Sequence, residues 1–257
     1  HELKRYADQL GLLFFATVGD EEGVELAGSM GCQSLKIASA DVNHLPLLRM
    51  VARTGMAIQL DTGNATFGEI ETAIDVIRAE SEVEVIIHNS PSGYPARLDS
   101  INLRMLPALK QTFRCPVAYS DHTPGHEMDI AAVALGANLV EKTITEDRCT
   151  RSVEHIMSLE PGEMRAFVQT IRDVETAMGD SRRILSDEEK TSRLNVRRST
   201  YLAQDVKAGD SLGDVAVRFK RPGYGIAPDT YESLSGMSFA TDLSAGHLLD
   251  MRDLVKP

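Results

Sequence analysis

Residues 118–125 read AYSDHTPG, an apolar approach that ends in Ser120, Asp121 and His122 immediately before a Pro-Gly break. A hydroxyl, a carboxylate and an imidazole side by side are groups that bind anions, ligate metals and move protons. The pattern recurs. Thr17 and Asp20 close or follow the run LLFFAT, and Lys36, Ser39 and Asp41 lie in and just after SLKIAS. Asp61 and Thr62 end AIQLDT, Asn89 and Ser90 end VEVIIHNS, and Glu141, Lys142 and Thr143 end NLVEKT.

Six short apolar runs carry these groups, at 12–17, 34–39, 57–62, 83–90, 115–120 and 138–143. Between them lie helical patterns such as EIETAIDVIRAE (69–80), in which Ile70, Ala73, Ile74 and Ile77 share one face. Strands alternating with helices predict an α/β chain whose parallel sheet is buried on both faces. A closed (β/α)8 TIM barrel gathers its strand ends at one mouth, so polar residues at nearly every strand end favour it over an open sheet. Neither a GxGxxG nor a P-loop glycine pattern is present, which weakens a nucleotide-binding sheet. Six of the eight barrel units are visible, and the other two are expected to precede His1, where the chain opens without a Met.

The stretch EMRAFVQTIRDVETAMG predicts a long helix with Met164, Phe167, Val168, Ile171, Val174 and Met178 on one face. The barrel domain is thus expected over residues 1–179. Residues 180–198 are rich in charge, poor in apolar side chains, and read as a linker. Over 199–257 the runs YLAQDV, VAVRFK and SFATDL, with turn signals KAGD, RPGYG and SAGH, predict a small β-rich domain.

At 257 residues and 42% hydrophobic content the chain can bury a real core. Its formal charge of -11 argues against nucleic acid or an anionic membrane surface as partner, since both would repel it. Cys32, Cys115 and Cys149, with no CxxC, predict reduced packing thiols in a cytoplasmic compartment. No stretch approaches the roughly 20 apolar residues of a membrane span, and HELKRYADQLGLLFF has no signal-peptide core.

The stretches LKIASAD, DTGNAT, HNSPSGYPA with INLRM, YSDHT, IAAVALGANLVEK, EHIMSLEP, and RRS with KRPGYGI resemble, in order along the chain, the sialic acid synthase family. That family, with its legionaminate, pseudaminate and spore coat polysaccharide relatives, condenses phosphoenolpyruvate with an N-acylated amino sugar. The resemblance implies a cytoplasmic transferase built as a TIM barrel plus an antifreeze-like (SAF) C-terminal domain. It also implies two earlier barrel units, in agreement with the strand count.

By position, Thr17, Lys36, Ser39, Ser92 and Ser120 match family residues that hold phosphoenolpyruvate, with Lys36 a point charge for phosphate. Asp41 matches an acidic residue that orients the attacking water, and it is equally placed to cap the helix over HLPLLRMVA. Tyr94 and Glu154 match sugar contacts; a turn aromatic and a surface Glu are the plainer alternatives. Arg221, in KRPGYG, matches a tail arginine that reaches the N-acyl group in a partner subunit, which implies a homodimer. A β-turn flank is its alternative.

His122 matches one of two imidazoles that bind Mn2+ or Mg2+, a Lewis acid for the sugar aldehyde. The resemblance breaks at the second: where the family reads EKHFT, this chain reads EKTIT, and Thr143 stands in the imidazole's place. A neutral hydroxyl is a far weaker ligand, so either another residue completes the site, with His126 and His155 the nearby candidates, or water and substrate mainly hold the metal. Asp61 stands for a Ser of an STG turn, and Asn89 for the His of a His-Cys pair. Two readings follow. One is the condensation, with Lys36, Asp41 and His122 catalytic; the other is a phosphoenolpyruvate- or sugar-binding relative whose metal-dependent catalysis is lost or altered. A Schiff-base aldolase using Lys36 or Lys142 is disfavoured.

Overall fold

The computed structural model describes residues 1–256. The chain forms two compact units, His1–Gly179 and Asp180–Pro257.

In the first unit six parallel strands pair in chain order: β1 (Ala16–Thr17), β2 (Ser34–Ile37), β3 (Ala57–Asp61), β4 (Val85–Asn89), β5 (Val117–Asp121) and β6 (Leu139–Lys142). Helix α1 (Glu2–Gln9) precedes β1. Helices α2 (Glu21–Ser29), α3 (Leu45–Arg53), α4 (Phe67–Glu80), α5 (Met105–Phe113) and α6 (Glu127–Ala134) each cross between successive strands, and α7 (Pro161–Met178) ends the unit. Of the apolar run at 12–17, only Ala16 and Thr17 join the ladder.

Alternation within the strands decides what faces the helices. Leu35, Ile37, Ile58, Leu60, Ile87 and Val117 are fully buried and pack in one core with Leu48, Val51, Ile70 and Ile74 of the helices. Burial of each such side chain stabilises the unit by roughly 1.5–3 kcal/mol. The intervening positions Lys36, Gln59, His88 and Ser120 point to the other face. There Lys36 Nζ of β2 lies 2.5 Å from Glu141 Oε1 of β6. Four strand spacings in a flat sheet would separate those strands by about 19 Å, too far for one Lys and one Glu to meet with their strands flat. The sheet is therefore curled into a half-barrel of the TIM type, as expected.

Helix α4 starts where the sequence supplies a capping box: Thr66 accepts from the Glu69 amide, and Glu69 accepts from the Thr66 amide. Helix α7 starts with Pro161 in its first turn and buries Phe167 and Ile171 beside Leu159.

The second unit pairs β7 (Ser199–Leu202) with β8 (Val217–Lys220), and β9 (Ser238–Phe239) with β10 (Leu254–Val255), both antiparallel. Leu202, Val206, Leu212, Ile226, Phe239, Leu249 and Leu254 form its core. Residues 180–198, expected as linker, contain a helix, α8 (Asp187–Val196), capped by Ser186 and Glu189. It buries no side chain, which is why no apolar periodicity announced it. Its end is nonetheless tied into the unit: the Gly223 amide donates to Leu194 O at 2.6 Å, and Tyr224 Oη to Asn195 Oδ1 at 2.5 Å.

Cys32 and Cys115 are buried, but Cys149 is exposed and so is not the packing residue expected; all three are free thiols. Among the described residues no helix is long and apolar enough to cross a membrane.

Candidate active site

All six strands of a parallel sheet end on one side, and there the inward-facing polar residues converge. Lys36 is at the centre. Its Nζ donates to Glu141 Oε1 and Oε2 at 2.5 and 2.6 Å and lies 2.9 Å from Asp61 Oδ2. Burial alone would lower the Lys36 pKa, but Asp61 and Glu141 more than reverse this and hold the ammonium above its ordinary range. Thr17 is the register partner of Lys36 across the β1–β2 ladder.

Asp61 ties this cation to two neighbouring strands. Ser90 Oγ donates to its Oδ1 at 2.7 Å, Ser120 Oγ lies 3.3 Å from the same oxygen, and His88 Nδ1 lies 3.5 Å away. Behind them runs a buried chain: Ser120 Oγ to His88 Nδ1 at 2.9 Å, His88 Nε2 to Gln59 Oε1 at 3.1 Å, and Gln59 Nε2 to Ser34 Oγ at 2.9 Å. Since Gln59 Oε1 can only accept, His88 Nε2 carries the proton and Nδ1 accepts from Ser120. Burial pushes His88 down to about 4, so the ring is neutral at pH 7.

The departures found in the sequence now have locations. Asp61 does bring a second carboxylate onto Lys36. Asn89 does not stand for a missing imidazole: its Nδ2 donates to Ile101 O, and the adjacent His88 is the ring that faces the interior. Sequence reasoning passed over His88 and Gln59, yet each is a polar residue at an alternate position in an otherwise apolar run, AIQLD or VIIHN. That placement is the signal.

Ser39 and Asp41 form a single 3-10 turn after β2. Gly63 holds this turn against the loop after β4, because a Cβ at Gly63 would stand 2.6 Å from Ser90 O and 3.3 Å from Ser39 Oγ. Asp41 does not cap α3; His44 occupies that position, with no side-chain bond. Ser92 is exposed in the loop after β4. In the same loop Tyr94 stacks on His122, ring centroids 4.4 Å apart, while His122 Nδ1 lies 3.0 Å from Pro91 O. Glu154 is exposed before a 3-10 turn that follows β6. Arg221 belongs to the second unit, exposed in the turn after β8, with Pro222 O accepting from Ser199 Oγ at 2.8 Å.

The Ser-Asp-His triplet therefore divides. Ser120 joins the inner network, whereas Asp121 is 1% exposed and turned toward the helices. Asp121 accepts from Tyr119 Oη, the Thr123 amide, Thr123 Oγ1 and Lys142 Nζ. Lys142 also donates to Thr123 O at 2.5 Å and lies 3.8 Å from Asp129. Asp129 of α6 is fully buried with both oxygens lacking a hydrogen-bond partner; burial first, then Asp121, push its pKa up to about 8.

The residues do not fit the expected divalent metal. Among the described residues no three His, Cys, Asp or Glu side chains gather to hold one. His126 packs edge-on to Phe167, and His155 Nδ1 is bonded to Thr145 Oγ1 at 2.5 Å, so neither completes a set with His122. Thr143 Oγ1 is buried without a partner, a neutral hydroxyl where a good ligand would be needed.

A polar, ionic mouth at the carboxyl ends of a curled parallel sheet defines an enzyme of the barrel class. Comparison with known proteins narrows this. Residues 1–183 match the NeuB family model and residues 197–255 the SAF domain model. The N,N'-diacetyllegionaminic acid synthase of Legionella pneumophila is 34% identical over 252 residues, 96% of this chain and 70% of its own length. The solved N-acetylneuraminic acid synthetase of Leptospira borgpetersenii is 31% identical, with a TM-score of 0.70 over 74% of this chain and 67% of that one. A spore coat polysaccharide biosynthesis protein E from Chromobacterium violaceum shares the fold, with a TM-score of 0.82 at 23% identity over 99% of this chain and 77% of that one. The chain belongs to the NeuB family, with a SAF domain at its C-terminal end.

Proposed function

We propose that the protein joins phosphoenolpyruvate to an N-acylated amino sugar of the mannosamine type, giving a nonulosonic acid and inorganic phosphate. The observation that carries this reading is the buried ammonium of Lys36 paired to Asp61, whose carboxylate gathers the hydroxyls of Ser90 and Ser120 where the strands end. The condensation forms a bond between C3 of phosphoenolpyruvate and the sugar's aldehyde carbon, while the aldehyde oxygen takes up a proton. Water adds to C2, and the resulting tetrahedral intermediate expels phosphate.

In this reading Lys36, Thr17, Ser39, Ser92 and Ser120 bind the enol ester by charge and hydroxyl donors. Asp41 accepts a proton from the attacking water. His122, stacked by Tyr94 and with Nδ1 donating to Pro91 O, gives the aldehyde oxygen its proton from Nε2 when the ring is in its imidazolium form. Tyr94 and Glu154 contact the sugar, and Arg221 reaches the N-acyl group of a sugar bound by the other chain of a homodimer. No step is routed through a metal, because the donor set does not support one.

The test is phosphate release from the full chain with both substrates, with each alone, and with a panel of N-acylated mannosamines. Release requiring both supports the reading, and Lys36→Ala and His122→Ala should each lower it by orders of magnitude. Unchanged rates in both variants remove the proposed site. The partnerless Thr143 hydroxyl favours a second reading, a relative that binds phosphoenolpyruvate or the sugar with altered metal-dependent catalysis. Phosphoenolpyruvate binding without turnover, with or without Mn2+, would select it.

A further inference from the structure

An ammonium has three protons to donate. On Lys36 the oxygens of Glu141 accept two hydrogen bonds, and Asp61 Oδ2 sits 2.9 Å away as an ion-pair partner. Two carboxylates thus already crowd the ammonium that an anionic substrate would need. The immediate charges, one ammonium against two carboxylates with His88 neutral, also sum to a negative cluster that would repel one. An anion approaching Nζ therefore competes with a carboxylate for it.

The two carboxylates are not equivalent. Asp61 is 14% exposed and accepts from Ser90 Oγ at 2.7 Å, so its departure would strand that hydroxyl. Glu141 is 31% exposed, and among the described residues Lys36 is its one side-chain partner. Releasing Glu141 moves a half-open carboxylate toward water and leaves a lysine and an aspartate of opposite charge.

We infer that Glu141 is a displaceable counter-ion: it occupies Lys36 in the resting site, and an incoming phosphate or carboxylate group takes its place while Asp61 stays. This rests on the reading of Lys36 as the anion-binding group. Glu141 then sets the affinity of the site for anions without touching the sugar, and it keeps Lys36 paired when no substrate is bound. Its role is to position the lysine.

The experiment is calorimetric titration of the full chain with phosphoenolpyruvate, and separately with inorganic phosphate, in wild type, Glu141→Gln, Glu141→Asp and Lys36→Ala. Loss of the competing charge in Glu141→Gln should tighten phosphoenolpyruvate binding about tenfold, roughly one surface-to-buried ion pair. Glu141→Asp, which keeps the charge on a shorter arm, should fall between it and wild type. In turnover, the KM for phosphoenolpyruvate should drop in Glu141→Gln while that for the sugar stays, a split that general loosening of the fold would not give. Equal or weaker binding by Glu141→Gln, with binding lost in Lys36→Ala, would overturn the counter-ion role alone. Wild-type affinity in Lys36→Ala would overturn both this role and the anion site beneath it.

Discussion

Tyr94 lies over His122 with 29° between the ring planes, so a loop after β4 supports an imidazole just beyond the end of β5. Half of Tyr94 remains exposed, which leaves one part of the ring to hold His122 and another to meet a substrate. Tyr94→Ala should raise the KM for the amino sugar about tenfold, within the range of an aromatic contact, and leave that for phosphoenolpyruvate unchanged. Tyr94→Phe should retain most of the wild-type value. Steady-state kinetics with each substrate varied in turn checks both, and equal effects on the two KM values would count against the stacking role.

His88 makes stability depend on acid. In the unfolded chain the ring takes up a proton below about 6.5, whereas in the folded chain burial delays this to about 4. The unfolded state therefore binds more protons in that window, and stability falls as pH drops from 6.5 to 4, by up to about 3 kcal/mol. Urea unfolding at pH 7.5 and 4.5 should show a smaller loss in His88→Gln than in wild type.

Asp129 acts in the opposite sense. Its folded pKa is raised to about 8, so the native state keeps a proton that the unfolded chain releases near 4. Its contribution is full below 4 and declines as pH rises through 8. Asp129→Asn, neutral throughout, should remove that decline; thermal melts from pH 5 to 9 measure the difference between variant and wild type.

Gly63 is needed for a close approach rather than for an unusual backbone angle. A methyl group there would press on the Ser90 carbonyl, which cannot swing aside. Gly63→Ala should cost about 1–3 kcal/mol in stability and raise the KM for phosphoenolpyruvate, because Ser39 and Ser90 would be forced apart. A variant that melts with wild type would show that the turn has room.

The barrel pattern was legible because each strand is a short apolar run with a polar end, and α4 carries its own apolar face and capping box. The strand-end residues Lys36, Asp61 and Ser120 were legible for the same reason. Gln59 and His88 carry a weaker signal, a polar residue at an alternate position in an apolar run, and their partners Ser34 and Ser120 lie on other strands. Glu141 was visible as a strand-end acid, but its pairing with Lys36 spans 105 residues and depends on curling that no local pattern encodes. The separate fates of Ser120 and Asp121 follow from two-residue alternation. The unfit metal set was foreshadowed by Thr143, whereas the bond from His155 Nδ1 to Thr145 required coordinates.

The hydrogen bond from the Gly223 amide to Leu194 bears on how the C-terminal piece should be cut out for study. A fragment begun at Ser199 would discard α8 and leave that amide and the Tyr224 phenol facing solvent, so a clone starting at Asp180 is the one whose folding would be native. What reads as a tether is, for expression and for proteases, an integral turn of that module.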